Sequence, residues 1–236
     1  MHRFFLKNIN LNDSEINITD VDLIYQINKV LRLKLSQEIS VFDGQNEYLI
    51  MLKRLEPKKI IGDIVKIIKN KAEANINLNL YQALLKQDHF ELVIKHGTSL
   101  GIKKFIPLIT ERTISRQMSE HKFKRWQKIA QEATEQSGRL IIPEINEPIS
   151  LNKILSDKSA LNLVAWEGAK NNLSKILPST KPETINLFVG PEGGWSENEI
   201  KILEKFGTQS FLFGPRILRA EFAGLAIASA LFYKFN

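Results

Sequence analysis

The feature that most constrains the fold is the alternation of apolar and amphipathic segments that begins near residue 72. Continuous apolar runs such as LNLVAWE (161–167) and INLFVG (185–190) are typical of strands buried on both faces. Helical patterns accompany them, including HFELVIKHGTSLG (89–101) and SEHKFKRWQKIAQEATEQSG (119–138). This α/β pattern predicts a parallel sheet with helices on both sides.

The first 71 residues have a different character. They contain short β-rich runs separated by turn residues, including EISVFDG (38–44), YLIMLKRL (48–55) and KIIGDIVKII (59–68). One amphipathic helix, which Asp20 can cap, interrupts these runs. The polar segment KNKAEAN (69–75) follows as a linker. We therefore predict a small β-barrel carrying one helix at residues 1–71, and an α/β domain at residues 72–236.

The composition excludes several classes of site. The chain has no cysteine, which excludes disulfides, thiolate metal sites and cysteine nucleophiles, and its four histidines, at positions 2, 89, 96 and 121, have no metal-ligand spacing. The longest apolar stretch, 222–233, is too short to span a bilayer, and the N-terminus lacks the apolar core of a signal peptide. We expect a cytoplasmic protein with neither metal nor membrane, whose net charge of +7 permits a nucleic-acid partner.

A glycine-rich loop follows the apolar run in NLFVGPEGGWSENEI (186–200). Its glycines allow a ligand to approach the backbone closely, and Ser196 with Glu199 predicts a capping box for the next helix. The loop lacks the Lys-Ser/Thr of a P-loop and does not fit G-x-G-x-x-G, and two glutamates occupy the first helical turn. It is therefore either a well-made strand-to-helix turn or a site for a neutral or cationic ligand.

A second loop has the same position after another strand, in LFGPRILRAEFAG (212–224). Arg216, Arg219 and Glu221 follow its Gly-Pro pair within a short span. Ligands of open α/β sheets bind beyond the carboxyl ends of the strands, so two such loops can close on one small molecule. The alternative is a solvated loop with an ordinary glutamate at the start of a helix.

A basic segment forms the third feature. From Arg112 to Lys128 there are six Lys or Arg residues and a single Glu, and Arg139 lies at the end of the helix. Such a segment is either a solvated helix face or a contact surface for an RNA backbone.

Together these segments resemble the ribosomal RNA small subunit methyltransferase E family, which belongs to the SPOUT class. The resemblance extends along nearly the whole chain and rests on HRFF (2–5), NKVLRLK (28–34), VFDG (41–44), KKFIPLITERTISR (103–116), RWQKIAQEATEQSGR (125–139), FVGPEGGWSENEI (188–200) and FGPRILRAE (213–221). It implies an N-terminal PUA-like barrel that helps to hold RNA, and a C-terminal α/β domain with a deep trefoil knot. It also implies an S-adenosylmethionine-dependent homodimer that methylates N3 of a uridine in the decoding region of 16S rRNA.

The resemblance assigns most site residues to cofactor or RNA binding. The expected cofactor residues are Glu167, Val189, Gly190, Pro191, Glu192, Gly193, Gly194, Leu212, Phe213, Gly214, Arg216, Ile217 and Leu218. The expected RNA-binding residues are Arg3, Arg32, Arg112, Arg116, Lys122, Lys124 and Arg125.

For catalysis, a fixed arginine can stabilise the uracil anion that forms when N3 loses its proton. Arg219 is the first candidate and Arg139 the second. Glu221 can orient an arginine or accept the proton.

Some alternatives stay open from the sequence. A SPOUT enzyme that acts on a tRNA base or a ribose, and a non-catalytic RNA-binding relative, are the main ones, while a nucleotide-dependent enzyme is disfavoured by the missing phosphate motif. The chain departs from the family pattern at His96, Ser99 and Phe222, and around Tyr25 and Gln26, and no role is transferred to positions 96, 99 and 222. The target uridine, the protomer that supplies the catalytic arginine, and the choice between free 16S rRNA and an assembled small subunit are also open.

Overall fold

The computed structural model describes residues 1–12, 14–114, 118–154 and 159–235. The chain forms two compact units, one of Met1–Glu73 with Thr134–Ile142 (unit 1) and one of Ala74–Ala133 with Pro143–Asn236 (unit 2). The break after Glu73 lies close to the domain boundary predicted between residues 71 and 72. The return of 134–142 to unit 1 was not predicted, because that segment continues a helix that begins in unit 2.

Unit 1 consists mainly of strands. Its elements are β1 (His2–Phe5), β2 (Asn10–Asn12), β3 (Glu15–Ile18), α1 (Val21–Tyr25), β4 (Glu38–Phe42), β5 (Glu47–Leu55) and β6 (Ile60–Ile68). Over the described residues the strands pair in the order β1-β4-β5-β6-β3-β2, with β1 parallel to β4 and the other pairs antiparallel. This is an open path: within the described part of unit 1, no pairing joins the end strands β1 and β2, so the predicted closed barrel is not found.

The helix of unit 1 begins as expected and then changes its pitch. Asp20 accepts a hydrogen bond from the backbone N–H of Leu23 at 2.8 Å, which confirms it as the cap. The single amphipathic helix that the sequence predicted consists of the α-helix Val21–Tyr25 followed by a π-helical turn, Gln26–Val30. Ile27 lies within this turn and is fully buried in the core of the unit.

Unit 2 contains the parallel sheet that the sequence predicted. Its elements are β7 (Asn77–Ala83), α2 (His89–Leu100), β8 (Lys104–Ile109), α3 (Glu120–Ser137), β9 (Glu144–Ile145), β10 (Ile149–Ser150), β11 (Leu161–Ala165), α4 (Leu173–Ile176), β12 (Thr184–Val189), α5 (Glu197–Lys205), β13 (Gln209–Phe211) and α6 (Ala220–Phe235), where the last turn of α3 belongs to unit 1. Among the described residues the strand order is β10-β8-β7-β12-β11-β13, with β9 also on β8, and every pair is parallel.

Apolar side chains on the strands and helices form the core of unit 2. One cluster joins Leu108, Val164, Phe188 and Leu203 from three strands and α5. The first part of α3 packs on α2, where the rings of Trp126 and Phe90 stack at 4.4 Å. A transmembrane helix is ruled out over the described ranges, since none of their helices combines the required length and apolarity.

Candidate functional site

The loops of interest follow three neighbouring strands of unit 2. Because β12, β11 and β13 are adjacent and parallel, their carboxyl ends lie at one edge of the sheet. The indole N–H of Trp195 donates to the carbonyl of Ala165 at 3.1 Å, which ties the loop after β12 to the end of β11. The backbone N–H of Trp166 donates to Phe211 O at 3.0 Å, which ties the end of β11 to β13. The structure thus brings the two predicted loops to one edge, with the end of β11 between them.

The glycine loop, residues 190–194, is a tight turn with its backbone tied to the sheet. Gly194 has a φ of +71° and donates its N–H to Pro191 O at 2.9 Å. The side chain of Gln82 on β7 donates to Gly190 O at 3.2 Å. A Cβ on Gly190 would lie 3.1 Å from the indole nitrogen of the buried Trp195. The absence of side chains therefore lets the loop pack closely on its own tryptophan.

The outer side of the glycine loop is fastened by residues that follow β7 and β8. Arg112 Nη1 donates to Gly193 O at 2.6 Å, and the backbone N–H of Lys86 donates to Glu192 Oε1 at 3.0 Å. Arg112, predicted to bind RNA, is thus placed against the glycine loop. Glu192, predicted to bind the cofactor, accepts a bond from the protein backbone.

The predicted capping box of α5 is confirmed. Ser196 Oγ accepts from Glu199 N at 3.2 Å, and Glu199 Oε2 accepts from Ser196 N at 3.0 Å. The other oxygen of this buried carboxylate accepts from Glu111 N at 2.8 Å. Glu199 is therefore occupied in joining the start of α5 to the segment after β8.

Glu167 lies on the rim of the same edge. Glu167 is exposed, and its Oε1 would lie 2.9 Å from a Cβ added to Gly194. The structure therefore places the carboxylate of Glu167, an expected cofactor residue, beside the glycine loop.

The second loop, residues 212–219, forms one wall of a pocket. Leu212 N donates to Asn171 O at 2.8 Å, and Leu173 N donates to Leu212 O at 3.1 Å, which places the start of α4 against this loop. The pocket has a volume of about 600 Å³, and its lining comprises Asn172, Leu173, Ser174, Leu212, Phe213, Gly214 and Pro215. Three of these, Leu212, Phe213 and Gly214, were predicted to bind the cofactor. The α4 residues were missed because the short α4 segment carries no ligand-binding motif.

The arginines of the second loop face solvent. The side chain of Arg219 is 86% exposed, and its Nη1 lies 4.0 Å from Glu221 Oε1 on a side chain that is 17% exposed. Arg219 directly precedes α6, and its carbonyl accepts from Ala223 N at 2.8 Å. Arg216 and Ile217 are exposed, and Leu218 is half-buried. Arg219 and Glu221 thus lie beside the pocket loop with a guanidinium free to reach a ligand.

Arg139 has a different environment, within unit 1. Its side chain is 3% exposed and its Nη2 lies 2.9 Å from Glu73 Oε2, while the backbone N–H groups of Leu140 and Ile141 donate to Glu73 Oε1. Burial by itself raises the pKa of Glu73, but the hydrogen bonds from Arg139 and from Ile141 outweigh it and hold that pKa below its usual value. This contact ties the segment 134–142 to the end of the linker and favours a structural role for Arg139.

Arg3 also lies in unit 1, with its guanidinium directed inwards. It donates to Glu47 Oε1 at 2.8 Å and to the carbonyls of Thr134, Glu135 and Arg139, and it covers the ring of Phe42 at 4.6 Å. Its side chain is 13% exposed. The bonds to Thr134 and Glu135 satisfy carbonyls in the last turn of α3. They favour a structural role for Arg3 at the end of this helix rather than the predicted contact with RNA.

The remaining predicted RNA-binding residues differ in environment. On α3, Lys124 pairs with Glu120 at 2.7 Å, Arg125 pairs with Glu91 at 2.7 Å, and Lys122 lies over the ring of Trp126. Lys124 and Arg125 nevertheless keep exposed side chains. Arg32 is exposed in unit 1 with a φ of 51°, and Arg116 lies outside the described residues.

Two residues of the site were not identified from the sequence. Gln82 and Trp195 hold the glycine loop through the contacts described above, and both are buried. The sequence signal that could have identified Gln82 was its polar side chain near the carboxyl end of the predicted strand NLNLYQA (77–83). Over the described ranges, no three His, Cys, Asp or Glu side chains are grouped so that they could hold a metal ion.

Comparison with known proteins gives one consistent family. A model described as "RNA methyltransferase domain" matches residues 72–232. The ribosomal RNA small subunit methyltransferase E of Mesomycoplasma hyopneumoniae is 34% identical over 233 residues, covering 95% of this chain and 96% of the relative. The corresponding protein of Rickettsia conorii is 32% identical and covers 95% and 92%.

A solved structure agrees with these relatives. The crystal structure of a ribosomal RNA small subunit methyltransferase E from Neisseria gonorrhoeae, bound to S-adenosylmethionine, is similar with a TM-score of 0.86 and 30% identity. The match covers 98% of this chain and 96% of that chain.

Proposed function

Because the chain belongs to the ribosomal RNA small subunit methyltransferase E family, we propose that it transfers a methyl group from S-adenosylmethionine to ribosomal RNA. The family resemblance inferred from the sequence motifs is thereby confirmed. The observation that carries the proposal is the placement of the two predicted loops at one sheet edge, beside a pocket of about 600 Å³. That volume suits a nucleoside-sized ligand.

The residues present fit S-adenosylmethionine in both shape and charge. Three of the five residues of the glycine loop have no side chain, and Phe213, Leu212 and Leu173 give the pocket apolar walls. The carboxylate of Glu167 beside Gly194 adds negative charge to the rim, which favours a cationic ligand over a phosphate. When bound, S-adenosylmethionine supplies an electrophilic methyl group on its sulfonium. We assign the remaining predicted cofactor residues of both loops to the rim around this ligand.

The protein's own contribution to the chemistry is alignment and charge stabilisation. Uracil N3 is a poor nucleophile until it loses its proton, and the resulting negative charge spreads to the neighbouring carbonyl oxygens. The exposed guanidinium of Arg219 is available to donate hydrogen bonds to that charge. Glu221, 4.0 Å from Arg219, can orient the guanidinium or accept the proton. Arg139 ranks below Arg219 because its guanidinium is buried against Glu73.

The finer features of the family are also part of this proposal. We propose that the protein acts as a homodimer, that the target is N3 of a uridine in the decoding region of 16S rRNA, within the small subunit, and that the reaction takes place in the cytoplasm. We further propose a SPOUT fold with a trefoil knot in unit 2 and a PUA-like role for unit 1. In the sheet of unit 2, β12 lies between β7 and β11, which precede it in the chain, and this order supports the SPOUT fold with a trefoil knot. The strand-rich composition of unit 1 supports its PUA-like role.

Two measurements test the proposal. Methylated nucleosides are mapped in ribosomal RNA from cells with and without this gene, and loss of one N3-methyluridine from 16S rRNA is expected. A missing mark in tRNA or on a ribose would move the activity to another RNA, and an unchanged map would favour a non-catalytic RNA-binding protein. Calorimetry should show binding of S-adenosylmethionine and none of ATP, and tighter binding of ATP would overturn the cofactor assignment.

A further inference from the structure

Gln82 is a fully buried amide at the site end of β7. It is 0% exposed and pairs in register with Val189, the last residue of β12. Its Nε2 donates to Gly190 O at 3.2 Å, with a longer contact to Ala83 O at 3.4 Å. The side chain therefore reaches across the sheet to the first residue of the glycine loop.

The other end of the same amide faces α6. Gln82 Oε1 has no hydrogen-bond partner among the described residues. A Cβ on Gly224 would lie 3.2 Å from this oxygen and 3.3 Å from Leu80 Cδ1, so α6 comes this close to β7 because residue 224 has no side chain. Burying an unpaired carbonyl oxygen costs free energy, whereas an apolar side chain of similar size would cost none. The bond to Gly190 is the contribution that an apolar residue could not make.

Gln82 thus touches both halves of the candidate site. Gly190 begins the glycine loop, and Gly224 lies in the first turns of α6, which follow directly on Arg219. The carbonyl of Arg219 accepts from Ala223 N at 2.8 Å, so a shift of this part of α6 moves the backbone of Arg219 as well. One side chain is therefore in contact with the elements that carry the two loops.

We propose that Gln82 is a positioning residue that sets the spacing of the glycine loop and the start of α6, and thereby the affinity for the cofactor. The identity of that cofactor rests on the proposed function. Gln82 does not act on the reacting atoms. Its effect is transmitted through Gly190 on one side and Gly224 on the other.

The same sheet offers a matched control. Asn186 on β12 is also a buried amide, 3% exposed, and it bonds to Asn79 at 2.9 Å and to Asn162 at 2.9 Å. This ladder of amides crosses three strands nearer their amino-terminal ends, and both of these bonds stay within the sheet. Replacing Asn186 by Leu removes a buried amide without touching the loop contacts of Gln82.

The first test measures hydrogen–deuterium exchange of the unliganded protein in segments 190–196 and 219–224. Gln82→Met keeps the length of the side chain and removes the donor, so exchange in both segments should rise about tenfold, the effect of losing one hydrogen bond. Gln82→Asn, whose amide is one methylene shorter, should raise it as well. Asn186→Leu should leave both segments at the wild-type rate. Equal exchange in Gln82→Met and Asn186→Leu would overturn the inference.

The second test measures the dissociation constant for S-adenosylmethionine by calorimetry. Gln82→Met should raise it about tenfold, while Asn186→Leu should keep it within twofold of wild type. Faster loop exchange with an unchanged dissociation constant would also overturn the inference. Wild-type protein that does not bind S-adenosylmethionine would instead refute the proposed function, and the exchange measurement would still decide whether Gln82 holds the two elements.

Discussion

Arg219 differs in its pairing from three other arginines of the chain. Arg3, Arg125 and Arg139 have carboxylate partners at 2.7–2.9 Å, whereas Arg219 is 86% exposed and its nearest carboxylate, that of Glu221, lies at 4.0 Å. A guanidinium that is not held by the protein keeps its donors available for a substrate. This difference in pairing is the physical basis for assigning it to the reacting base.

Arg219→Ala should therefore slow methyl transfer far more than it weakens cofactor binding. Removing a donor to a developing negative charge costs about 10²–10³ in rate. Arg219→Lys should recover part of this loss, because a point charge lacks the planar fork. Single-turnover methylation at saturating cofactor, with a binding isotherm for each variant, measures both effects.

Lys201→Ala, on the exposed face of α5, controls for loss of surface charge. Equal losses of binding and rate in Arg219→Ala would identify Arg219 as an anchor of the loop. Full turnover would make Arg139 the better candidate for the catalytic arginine.

Gly194 illustrates a backbone requirement at a single residue. Its φ of +71° is disfavoured for any residue with a Cβ, whereas Gly193 has no such constraint and would place a Cβ in ordinary contact with Arg112 at 3.4 Å. Gly194→Ala should lower the free energy of unfolding by about 1–2 kcal/mol. Gly193→Ala should change it by less than about 0.5 kcal/mol.

Urea unfolding of both variants measures this difference, and equal values would show that the turn relaxes around residue 194. Because the turn bond from Gly194 N to Pro191 O shapes the glycine loop, weaker cofactor binding is expected for Gly194→Ala.

At the scale of elements, α3 combines exposed positive charge with internal pairing. The Lys124–Glu120 pair is exposed on both sides and contributes little to stability, so Lys124 can exchange its partner for a phosphate. Arg125 is bound to a mostly buried Glu91, and its removal would disturb the packing of α3 on α2. The sharper test of RNA binding therefore uses Lys124 and the exposed Lys128.

Replacing both lysines, Lys124→Gln with Lys128→Gln, should reduce the magnitude of the slope of log affinity against log salt by about one unit for each phosphate that is no longer neutralised. The expected reduction for the double variant is therefore about two units. Binding of S-adenosylmethionine should not change. Lys201→Gln is the control, since it removes one exposed lysine from another helix. Filter binding of a 16S rRNA fragment at several salt concentrations gives the slope, and an unaltered slope would mean that this face of α3 is only solvated.

α6 presents apolar residues on the side that does not pack on the sheet. Phe222 is 56% exposed and Tyr233 93% exposed, while Gly224 and Ala228 are buried. Small residues of α6 that could allow close approach of a second chain are thus partly used in the core. The exposed side of α6 is left as the surface for the proposed homodimer.

Phe222→Glu with Tyr233→Glu should convert the protein from a dimer to a monomer, because like charges and desolvated carboxylates would oppose contact. Light scattering at micromolar concentration measures the change in mass. A wild-type monomer with full activity would rule out the proposed homodimer. A dimeric double variant would mean that another surface mediates it.

At the scale of the whole molecule, acid should destabilise the fold through unit 1. Burial raises the pKa of Glu47, but hydrogen bonds from Arg3, Ser40 and Asn70 outweigh it and hold this pKa below the usual value. The pKa of Glu73 is also below the usual value, because hydrogen bonds outweigh the effect of burial there as well. Carboxyls with a lowered folded pKa contribute stability that is complete above their unfolded pKa of about 4.3. That contribution is lost as the pH falls through the folded pKa.

Unfolding measured between pH 7 and pH 2 should therefore show a loss that begins near pH 4.3, the approximate unfolded pKa. Glu73→Gln should lower the free energy of unfolding at pH 7 by about 3 kcal/mol, because it removes the carboxylate that neutralises the buried guanidinium of Arg139, and should flatten the acid dependence. Glu15→Gln, in a more exposed pair with Lys53, should cost less than about 1 kcal/mol. An acid profile of Glu73→Gln that matches wild type would place the linkage elsewhere.

Local patterns in the sequence determined the elements and the chemistry of the loops. Apolar periodicity predicted the parallel sheet, Asp20 and Ser196 predicted helix starts, and the glycine loop with its neighbouring glutamates favoured a neutral or cationic ligand over a phosphate. Each of these depends on residues a few positions apart, so the sequence alone contains them. The ordered motifs also identified the family, because several specific segments occurred in one order.

Only the tertiary structure decided which distant side chains meet. Gln82 bonds to Gly190 across 108 positions and Arg139 to Glu73 across 66, and neither pair has a local signature. The same holds for Arg3, which bonds to carbonyls in the last turn of α3, and for Arg112, which bonds to the carbonyl of Gly193 in the glycine loop. The open path of strands in unit 1 likewise depends on pairing between segments far apart. A guanidinium or an amide has the same local preferences whether it is buried or free, so its partner is set by the packing of the folded chain.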